Sequence, residues 1–325
     1  MSKHPALLTQ FIIFVLFGDV IVHRGWQVWT ASLLKMLKLL GVSERAARST
    51  LSRMAHKGWL KARREGRHSL YALTAKSERL LAEGGTRIFE PRRLEWDGRW
   101  YLVVYSLPER KRKMRNDLRK RLTYLGFGRL APGTWISPHD RRAEVEALLD
   151  DLGAGEYAHF FSDLRLASGN DREIVERCWD LKGLNRQYAR FLARWEPEYE
   201  KCAHAARADG GLSPAQCFVQ RFWIAHEYSA FPSLDPNLPA ALLPEGWLGD
   251  KAAHVFSEYR QLLNDQANAF IETTLRSPNG RRPSMGTETE PAMTARESTW
   301  QSAGQRLPKN VESQTGDGSG SFIYE

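Results

Sequence analysis

The segment between residues 44 and 57 combines basic, hydroxyl and apolar side chains at helical spacing. If it is a helix, one face carries the residues that can pack inward, namely Ala47, Thr50, Leu51 and Met54. The opposite side carries basic and hydroxyl side chains: Arg45, Arg48, Ser49, Ser52, Arg53 and His56. Guanidinium and hydroxyl groups donate hydrogen bonds to guanine edges and phosphate oxygens. The pattern predicts a helix, Glu44–Lys57, that packs by one face and reads nucleic acid with the other; an ordinary amphipathic surface helix is the alternative.

The residues before this helix supply the elements that must position it. Leu7–Phe17 is almost entirely apolar and predicts a buried first helix. Thr30 is a candidate N-cap for a second helix, Ala31–Leu40, whose leucines recur at helical spacing. Gly41 suits the left-handed position after that helix, and Ser43 is a candidate cap for the next one. Two helices joined by so short a turn are typical of a helix-turn-helix.

A basic hairpin follows the second of these helices. Two strand-like segments, Trp59–Arg64 and His68–Leu73, flank Glu65-Gly66, where glycine tolerates a positive φ. A wing of this kind lies along phosphates or enters the minor groove, where arginine is favoured, and a solvated hairpin is the alternative. Helix and hairpin together predict a winged helix-turn-helix. The predicted DNA-binding residues are Ser43, Arg45, Arg48, Ser49, Ser52, Arg53, Arg63, Arg64, Arg67 and His68.

The distribution of charge supports a nucleic-acid-binding module at the N-terminus. The chain has 325 residues and a formal net charge of +9. The first 90 residues hold 15 Lys and Arg against 6 Asp and Glu, whereas the remainder holds 32 of each kind. The whole excess therefore lies in the first quarter of the chain, which is the electrostatic pattern of a DNA-binding domain joined to neutral ones.

Other features of the composition exclude several classes of protein. The three cysteines, Cys178, Cys202 and Cys217, form no CxxC pair, and their odd number argues against a disulfide framework. The apolar stretch Phe11–Val22 is interrupted by Gly18-Asp19, which ends or bends the first helix, and it is shorter than the roughly 20 residues that a membrane helix needs. We expect a cytoplasmic protein with no resident metal or cofactor.

Residues 16–74 resemble the start of the PaaX family, the repressors of phenylacetic-acid degradation. The resemblance lies in the FGD element that begins at Phe17, the LGVSERAAR segment that begins at Leu40, the GWL segment that begins at Gly58, and the basic hairpin. It implies a transcriptional repressor that binds operator DNA.

The middle region, residues 91–170, alternates between strand-like and helix-like patterns and suits a ferredoxin-like β-α-β-β-α-β unit. The predicted elements are the strand Trp100–Ser106, the helix Arg110–Leu125, the strand Gly133–Ser137, the helix Ala143–Leu152 and the strand Tyr157–Leu166. Residues 96–139 resemble PaaX again. They also resemble the small CRISPR-adaptation endoribonucleases, which have the same fold.

This second resemblance implies a rival function, that of a metal-dependent nuclease. In that family an aspartate closes the first strand and holds Mg²⁺, which prefers oxygen ligands. The matching position here is Ser106, whose hydroxyl does not replace a carboxylate, so no catalytic residue is predicted. The basic run Arg110–Arg121 has two interpretations: a solvated helix face, or a site for DNA or ligand phosphate.

Residues 171–275 are predicted to be mainly helical, with a dimerisation or effector role. The helices are Glu173–Cys202, Pro214–Tyr228 and Ala252–Phe270, and a proline-rich loop, Phe231–Trp247, precedes the last. Residues 221–252 resemble the PaaX C-terminal signature, in which a basic residue, a histidine and a DP-LP-LLP-W string recur.

Four regions follow from these patterns, and together they define an α+β protein. They are a winged-helix domain (1–90), a ferredoxin-like domain (91–170), a helical C-terminal domain (171–275) and a tail (276–325). The tail is rich in Gly, Ser, Thr, Glu and Pro, so it cannot bury enough apolar surface to fold, and we expect it to be disordered.

The family resemblance also implies an effector. It implies a repressor whose DNA affinity falls when an aryl-acetyl-CoA thioester, typically phenylacetyl-CoA, binds. Aromatic and basic side chains in the signature are candidate ligand contacts, although packing is the alternative for each: Arg221, Trp223, His226 and Trp247. A homodimer is expected, since symmetric operators match symmetric dimers. A nuclease and a non-specific DNA-binding protein are the alternative functions.

Overall fold

The computed structural model of this chain describes residues 5–24, 27–78, 81, 95–207 and 211–276. The tail that is predicted to be disordered, residues 276–325, lies outside the described residues except for Arg276, which directly follows the last helix. The described residues form two antiparallel sheets and many helices, which confirms the α+β class.

The N-terminal part is a winged helix. Its first helix, α1 (Pro5–Leu16), continues into a π-helical turn, Phe17–Ile21, and a 3₁₀ turn, Val22–Arg24, where the pattern predicts an end or a bend. The following elements are β1 (Gln27–Trp29), α2 (Thr30–Leu39), α3 (Glu44–His56), β2 (Leu60–Glu65) and β3 (His68–Leu73), with a helical segment at 75–78. The three strands form an antiparallel sheet in the order β1-β3-β2.

Glycine and serine set the turn between α2 and α3. Gly41 has a φ of +82°, and its N–H and that of the next residue donate to carbonyl oxygens in the last turn of α2, at 3.1 and 2.9 Å. Ser43 Oγ then accepts a hydrogen bond from the Ala46 N–H at 3.3 Å, which confirms the predicted cap. The predicted cap of α2 is wrong: Thr30 is the first helical residue, and Trp29 occupies the cap position without a side-chain bond.

The middle part is a ferredoxin-like unit. Its elements are β4 (Trp100–Tyr105), α4 (Arg112–Tyr124), β5 (Gly128–Ala131), β6 (Thr134–Ser137), α5 (Arg142–Leu152) and β7 (Ala158–Leu164). The strands pair antiparallel in the order β5-β6-β4-β7, which confirms the predicted fold. Gly133, in the β5–β6 turn, has a φ of +76°, and a Cβ there would lie 2.5 Å from the Tyr105 carbonyl oxygen, so this turn requires glycine.

The C-terminal part is helical, as predicted. Its helices are α6 (Asp171–Cys178), α7 (Leu181–Arg207), α8 (Pro214–Tyr228) and α9 (Gly249–Leu275). The bounds of α8 match the prediction, because Ser213 and Gln216 form a capping box immediately before and within its first turn. The proline-rich loop contains two 3₁₀ turns, Phe231–Ser233 and Ala240–Leu242.

The single predicted helix Glu173–Cys202 is wrong, because extended backbone at Trp179 divides it. The Trp179 indole lies against β5 and donates from Nε1 to the Gly126 carbonyl at 3.2 Å. A Cβ on Gly128 would lie 2.5 Å from that indole ring. The break in the helix therefore lets a large aromatic side chain pack against the middle part.

The winged helix and the C-terminal helices share one hydrophobic core. Buried side chains of α1, α2 and α3 belong to the same cluster as those of α7, α8 and α9. The middle part has a separate core between its sheet and α4 and α5, and a small third cluster joins it to α6 and the proline-rich loop. In the described part of the chain, no helix is both long enough and apolar enough to span a bilayer.

Candidate nucleic-acid interface

Helix α3 is amphipathic in the predicted sense. Ala47, Thr50, Leu51 and Met54 are buried, and they lie beneath α1 and α2. Burial of these side chains fixes the rotation of α3 about its axis, so the residues on its other side must face solvent. The internal packing of the helix therefore determines which side chains are available to DNA.

The exposed side of α3 carries the predicted polar set. All six of these residues are exposed: Arg45, Arg48, Ser49, Ser52, Arg53 and His56. Arg48 forms an exposed i,i+4 ion pair with Glu44 at 2.8 Å, and Arg53 donates to Thr50 Oγ1 at 3.0 Å. An exposed ion pair such as Arg48–Glu44 holds its side chains weakly, so the Arg48 guanidinium remains available to a stronger anion.

The hairpin of β2 and β3 carries the wing. Glu65 pairs with His68, so the two-residue turn is Gly66-Arg67, one residue later than the sequence pattern predicts. Gly66 has a φ of +57°, which glycine adopts without strain. Arg63, Arg64 and Arg67 are exposed at this tip, where Arg64 Nε donates to the Gly66 carbonyl at 3.3 Å. His68 is only half-buried, and its ring packs against Trp29 with centroids 5.8 Å apart.

Trp59 lies between α3, called the recognition helix below, and the wing. Its ring packs edge-on against Phe14 of α1 at 5.5 Å, and its carbonyl accepts from Ser77 Oγ at 2.6 Å. Lys76 lies over the same ring, with its Nζ 4.4 Å from the centroid. These contacts attach the segment between α3 and β2 to α1 and to the residues that follow β3.

Three exposed lysines enlarge the basic surface beyond the predicted set: Lys57, Lys61 and Lys76. Lys57 follows α3, Lys61 lies on β2, and Lys76 lies just after β3. Their positions at the ends of basic elements are the only sequence signal for them.

The four candidate ligand residues do not form one cluster. Arg221 is buried and donates to Asn264, Asn268 and Asp19, so its guanidinium has protein partners. Trp247 packs edge-on against Tyr188, with centroids 5.5 Å apart. Trp223 and His226 do come together on α8, with ring centroids 5.2 Å apart.

Trp223 and His226 form part of an aromatic cluster between α8 and α1. The His226 ring lies 5.0 Å from that of Phe11 and 5.9 Å from that of Phe222. Both His226 ring nitrogens are buried without a hydrogen-bond partner among the described residues. Burial lowers the pKa of His226, and neighbouring Glu227 opposes that shift. The cluster offers a neutral imidazole and aromatic surfaces, and Phe11 is 45% exposed at its edge.

The middle part has a serine at the position where the resemblance to the endoribonucleases implies a metal-binding aspartate. Ser106 follows β4 and is exposed, and its N–H donates to the Tyr157 carbonyl at 2.9 Å. No group of three or more His, Cys, Asp or Glu in the described ranges could hold a metal ion. On the basic α4, Arg115 pairs with Glu109 at 2.7 Å and Arg121 with Asp151 at 3.1 Å, so part of its charge is neutralised within the protein.

An exposed basic recognition helix with an arginine-tipped wing defines a winged-helix DNA-binding regulator. Three family models match in sequence: the PaaX-like protein model (residues 9–77), the PaaX protein central Cas2-like domain (93–175) and the PaaX-like protein C-terminal domain (179–273). The transcriptional repressor PaaX of Escherichia coli is 32% identical over 278 residues, which cover 85% of this chain and 86% of that protein. The chain belongs to the PaaX family of transcriptional regulators.

A solved structure shares the fold. An uncharacterized protein from Mycobacterium tuberculosis matches with a TM-score of 0.53 at 22% identity, over 79% of this chain and 96% of that protein. The fold is therefore shared with a protein of distant sequence.

Proposed function

We propose that this chain represses an aromatic-acid catabolic operon of the phenylacetate type, and that it acts in the cytoplasm as a homodimer. The observation that carries the proposal is the exposed basic face that α3 and the wing form together. The E. coli relative is named a transcriptional repressor, and its likeness extends over most of both chains.

Each part of the basic face has its own role in this proposal. The donors on the exposed side of α3 enter the major groove, where Arg45 and Arg48 reach base edges or phosphates. Arg63, Arg64 and Arg67 hold the phosphates beside the wing. A homodimer presents two such faces to successive major grooves of a palindromic operator.

An aryl-acetyl-CoA thioester is the proposed effector. It releases the operator only if it binds more tightly to an arrangement of the dimer that does not fit DNA. The aromatic cluster of Phe11, Trp223 and His226 supports a site for the aryl group. Aromatic surfaces suit an aryl ring, and an imidazole N–H can donate to a thioester carbonyl.

The test is a gel-shift titration at fixed salt. The probes are fragments upstream of the gene for this protein and of neighbouring operons, with and without phenylacetyl-CoA and with free phenylacetate as the control. Specific binding that the thioester releases, and free phenylacetate does not, supports both the repressor and its effector. Specific binding that ignores the thioester supports the regulator and redirects the search to other acyl-CoAs. Equal binding to all fragments contradicts the proposal and favours a non-specific DNA-binding protein.

Two matched variants locate the effector contact in the same assay. Trp223→Leu alters the aromatic cluster, whereas Trp247→Leu alters the separate contact with Tyr188. We expect Trp223→Leu to bind the operator normally and to require more thioester for release. An unchanged thioester response would remove this cluster from the effector site.

A further inference from the structure

A cluster of charged side chains lies where the winged helix meets the C-terminal helices. Asp19, in the π-helical turn after α1, has a side chain that is only 10% exposed. Its carboxylate accepts from Arg260 of α9 at 2.7 Å and from Arg221 of α8 at 3.4 Å. The Arg221 side chain is 4% exposed. One carboxylate of the winged helix, called the DNA-reading part below, therefore binds two helices of the C-terminal part.

Arg24, in the 3₁₀ turn that follows, completes the cluster from the same side. Its Nη1 donates to the Val20 carbonyl at 2.9 Å, its Nε to Glu272 at 3.0 Å and its Nη2 to Asn268 at 2.8 Å. Asn268 Oδ1 also accepts from Arg221 Nη1 at 2.9 Å. Asp19 and Arg24 are thus linked through α8 and α9 into one continuous network.

The backbone at this point departs from a regular α-helix. The Val22 N–H donates to the Phe17 carbonyl, which closes a π-type turn around Asp19. Single π-type turns within helices are rare and are frequent at functional sites. The same turn contains Val20, whose carbonyl Arg24 binds.

The hydrogen bonds and ion pairs of this cluster restrict the angle between the winged helix and the C-terminal helices more tightly than the shared hydrophobic core does. Apolar contacts tolerate small changes in the angle between two packed bodies, whereas buried charge pairs are costly unless one geometry satisfies them. Burial lowers the pKa of Arg221, and Asp19 opposes that shift. A further hydrogen bond joins the same two parts of the chain: Ser32 Oγ of α2 donates to the Thr274 carbonyl of α9 at 2.6 Å.

We propose that this cluster fixes the orientation of the DNA-reading part on the C-terminal helices, and that Asp19 is a positioning residue for operator recognition. The inference rests on the proposed repressor function. Asp19 lies in the π-helical turn that directly follows α1, and α1 packs on α3. A change of angle at Asp19 therefore moves the recognition helix relative to the rest of the dimer, without removing any DNA-contacting side chain.

The test compares Asp19→Asn with Glu227→Gln in the full chain. Both changes remove one carboxylate that accepts from at least two donors. The donors to Glu227 are Arg194 and Trp195, which lie within the C-terminal helices. We expect Asp19→Asn to keep its affinity for random-sequence duplex DNA and to lose about tenfold in affinity for the operator, the scale of measured coupling effects. Glu227→Gln should keep both affinities.

Amide hydrogen exchange in α3 supplies a readout that does not need an operator. We expect faster exchange in α3 for Asp19→Asn, because the DNA-reading part then opens locally, and unchanged exchange for Glu227→Gln. If no fragment binds specifically, the repressor proposal fails while the exchange result still tests the cluster. A folded Asp19→Asn protein with wild-type operator affinity and wild-type exchange would overturn the inference. If Asp19→Asn does not fold, Arg260→Gln removes a partner at the more exposed edge and is judged by the same readouts.

Discussion

Arg64 at the wing tip illustrates how a single side chain can contribute affinity without sequence preference. It is exposed and makes one weak contact, to the Gly66 carbonyl. We expect Arg64→Ala to weaken binding to every DNA sequence and to reduce the slope of log affinity against log salt by about one, since one phosphate contact is lost. The measurement is a binding titration on operator and random duplexes at several salt concentrations.

A matched control removes the same charge elsewhere. Arg190 is exposed on α7, in the C-terminal part. Arg190→Ala should leave the salt slope unchanged. If Arg64→Ala behaved in the same way as this control, the wing would not contact phosphate.

The buried His226 predicts a pH dependence of stability. Its pKa in the folded chain is lowered by burial, whereas in the unfolded chain it has the ordinary value of about 6.5. Below that pH the unfolded chain binds more protons than the folded one, so the free energy of unfolding falls as the pH drops through this range. His226→Phe should remove this part of the pH dependence.

Urea unfolding at pH 7.5 and pH 5.5 measures the effect. His254 is exposed on α9 and serves as the control, because His254→Gln relieves no buried imidazole. A His226→Phe protein that lost as much stability as the wild type between the two pH values would show that another group causes the dependence.

Residues on regular faces can be predicted from the sequence, and residues that act across long sequence separations cannot. Helical spacing alone identifies the exposed basic side of α3. Nothing in the sequence near Asp19 indicates Arg221 or Arg260 as partners, because they lie more than 200 residues away and no local pattern links them. The ligand candidates chosen by residue type divide in the same way: Trp223 and His226 meet on one helix, and Arg221 is engaged with Asp19.

At the scale of elements, the close approach of Trp179 to Gly128 of β5 is one contact by which the C-terminal part packs against the middle part. An added Cβ at Gly128 would overlap the Trp179 indole at 2.5 Å. Because the indole is held by its bond to Gly126 and by packing, it cannot move freely. We expect Gly128→Ala to reduce the free energy of unfolding by about 1–3 kcal/mol, the usual cost of overpacking.

Thermal or urea unfolding tests this expectation, with Gly155→Ala as the control. A Cβ at Gly155 meets no atom within 4 Å, so that change should have little effect on packing. Equal stability of the two variants would show that Trp179 yields easily and does not determine how the middle part is attached.

Elements with sustained periodicity are predictable, and short ones are not. The bounds of α8 and the existence of α2, α3 and the hairpin follow from apolar spacing and capping residues. The three-residue β1 and the four-residue β5 are too short to show alternation, although a β-α-β-β-α-β unit requires a second strand. The sequence does not reveal the break at Trp179, because apolar residues continue on both sides of it. The contacts of Trp179 with Gly126 and Gly128 join residues about 50 positions apart, which no local pattern indicates.

At the scale of the whole molecule, the charge pattern and the hydrophobic core divide the chain differently. The excess of basic over acidic residues lies in the first 90 residues, which the sequence presents as a separate domain. In the structure, the described residues of this region, up to Leu81, share one core with α7, α8 and α9, while the middle part has its own. The effector site proposed above lies between α1 and α8, within this shared core, so that proposal requires no flexible linker between the effector site and the DNA-reading part.

This arrangement predicts how fragments of the chain behave. A fragment of residues 1–81 loses the partners of α1 and α2 and exposes the apolar face that α8 and α9 cover in the intact chain. We expect it to lack a cooperative thermal transition and to bind a hydrophobic dye. A fragment of residues 95–180 retains the sheet, α4, α5 and Trp179, so it should unfold cooperatively. Circular dichroism melts of both fragments provide the measurement. A cooperative melt of 1–81 together with full DNA affinity would mean that the winged helix folds and binds DNA on its own. The contacts of α1 and α2 with the C-terminal helices would then contribute little to DNA recognition.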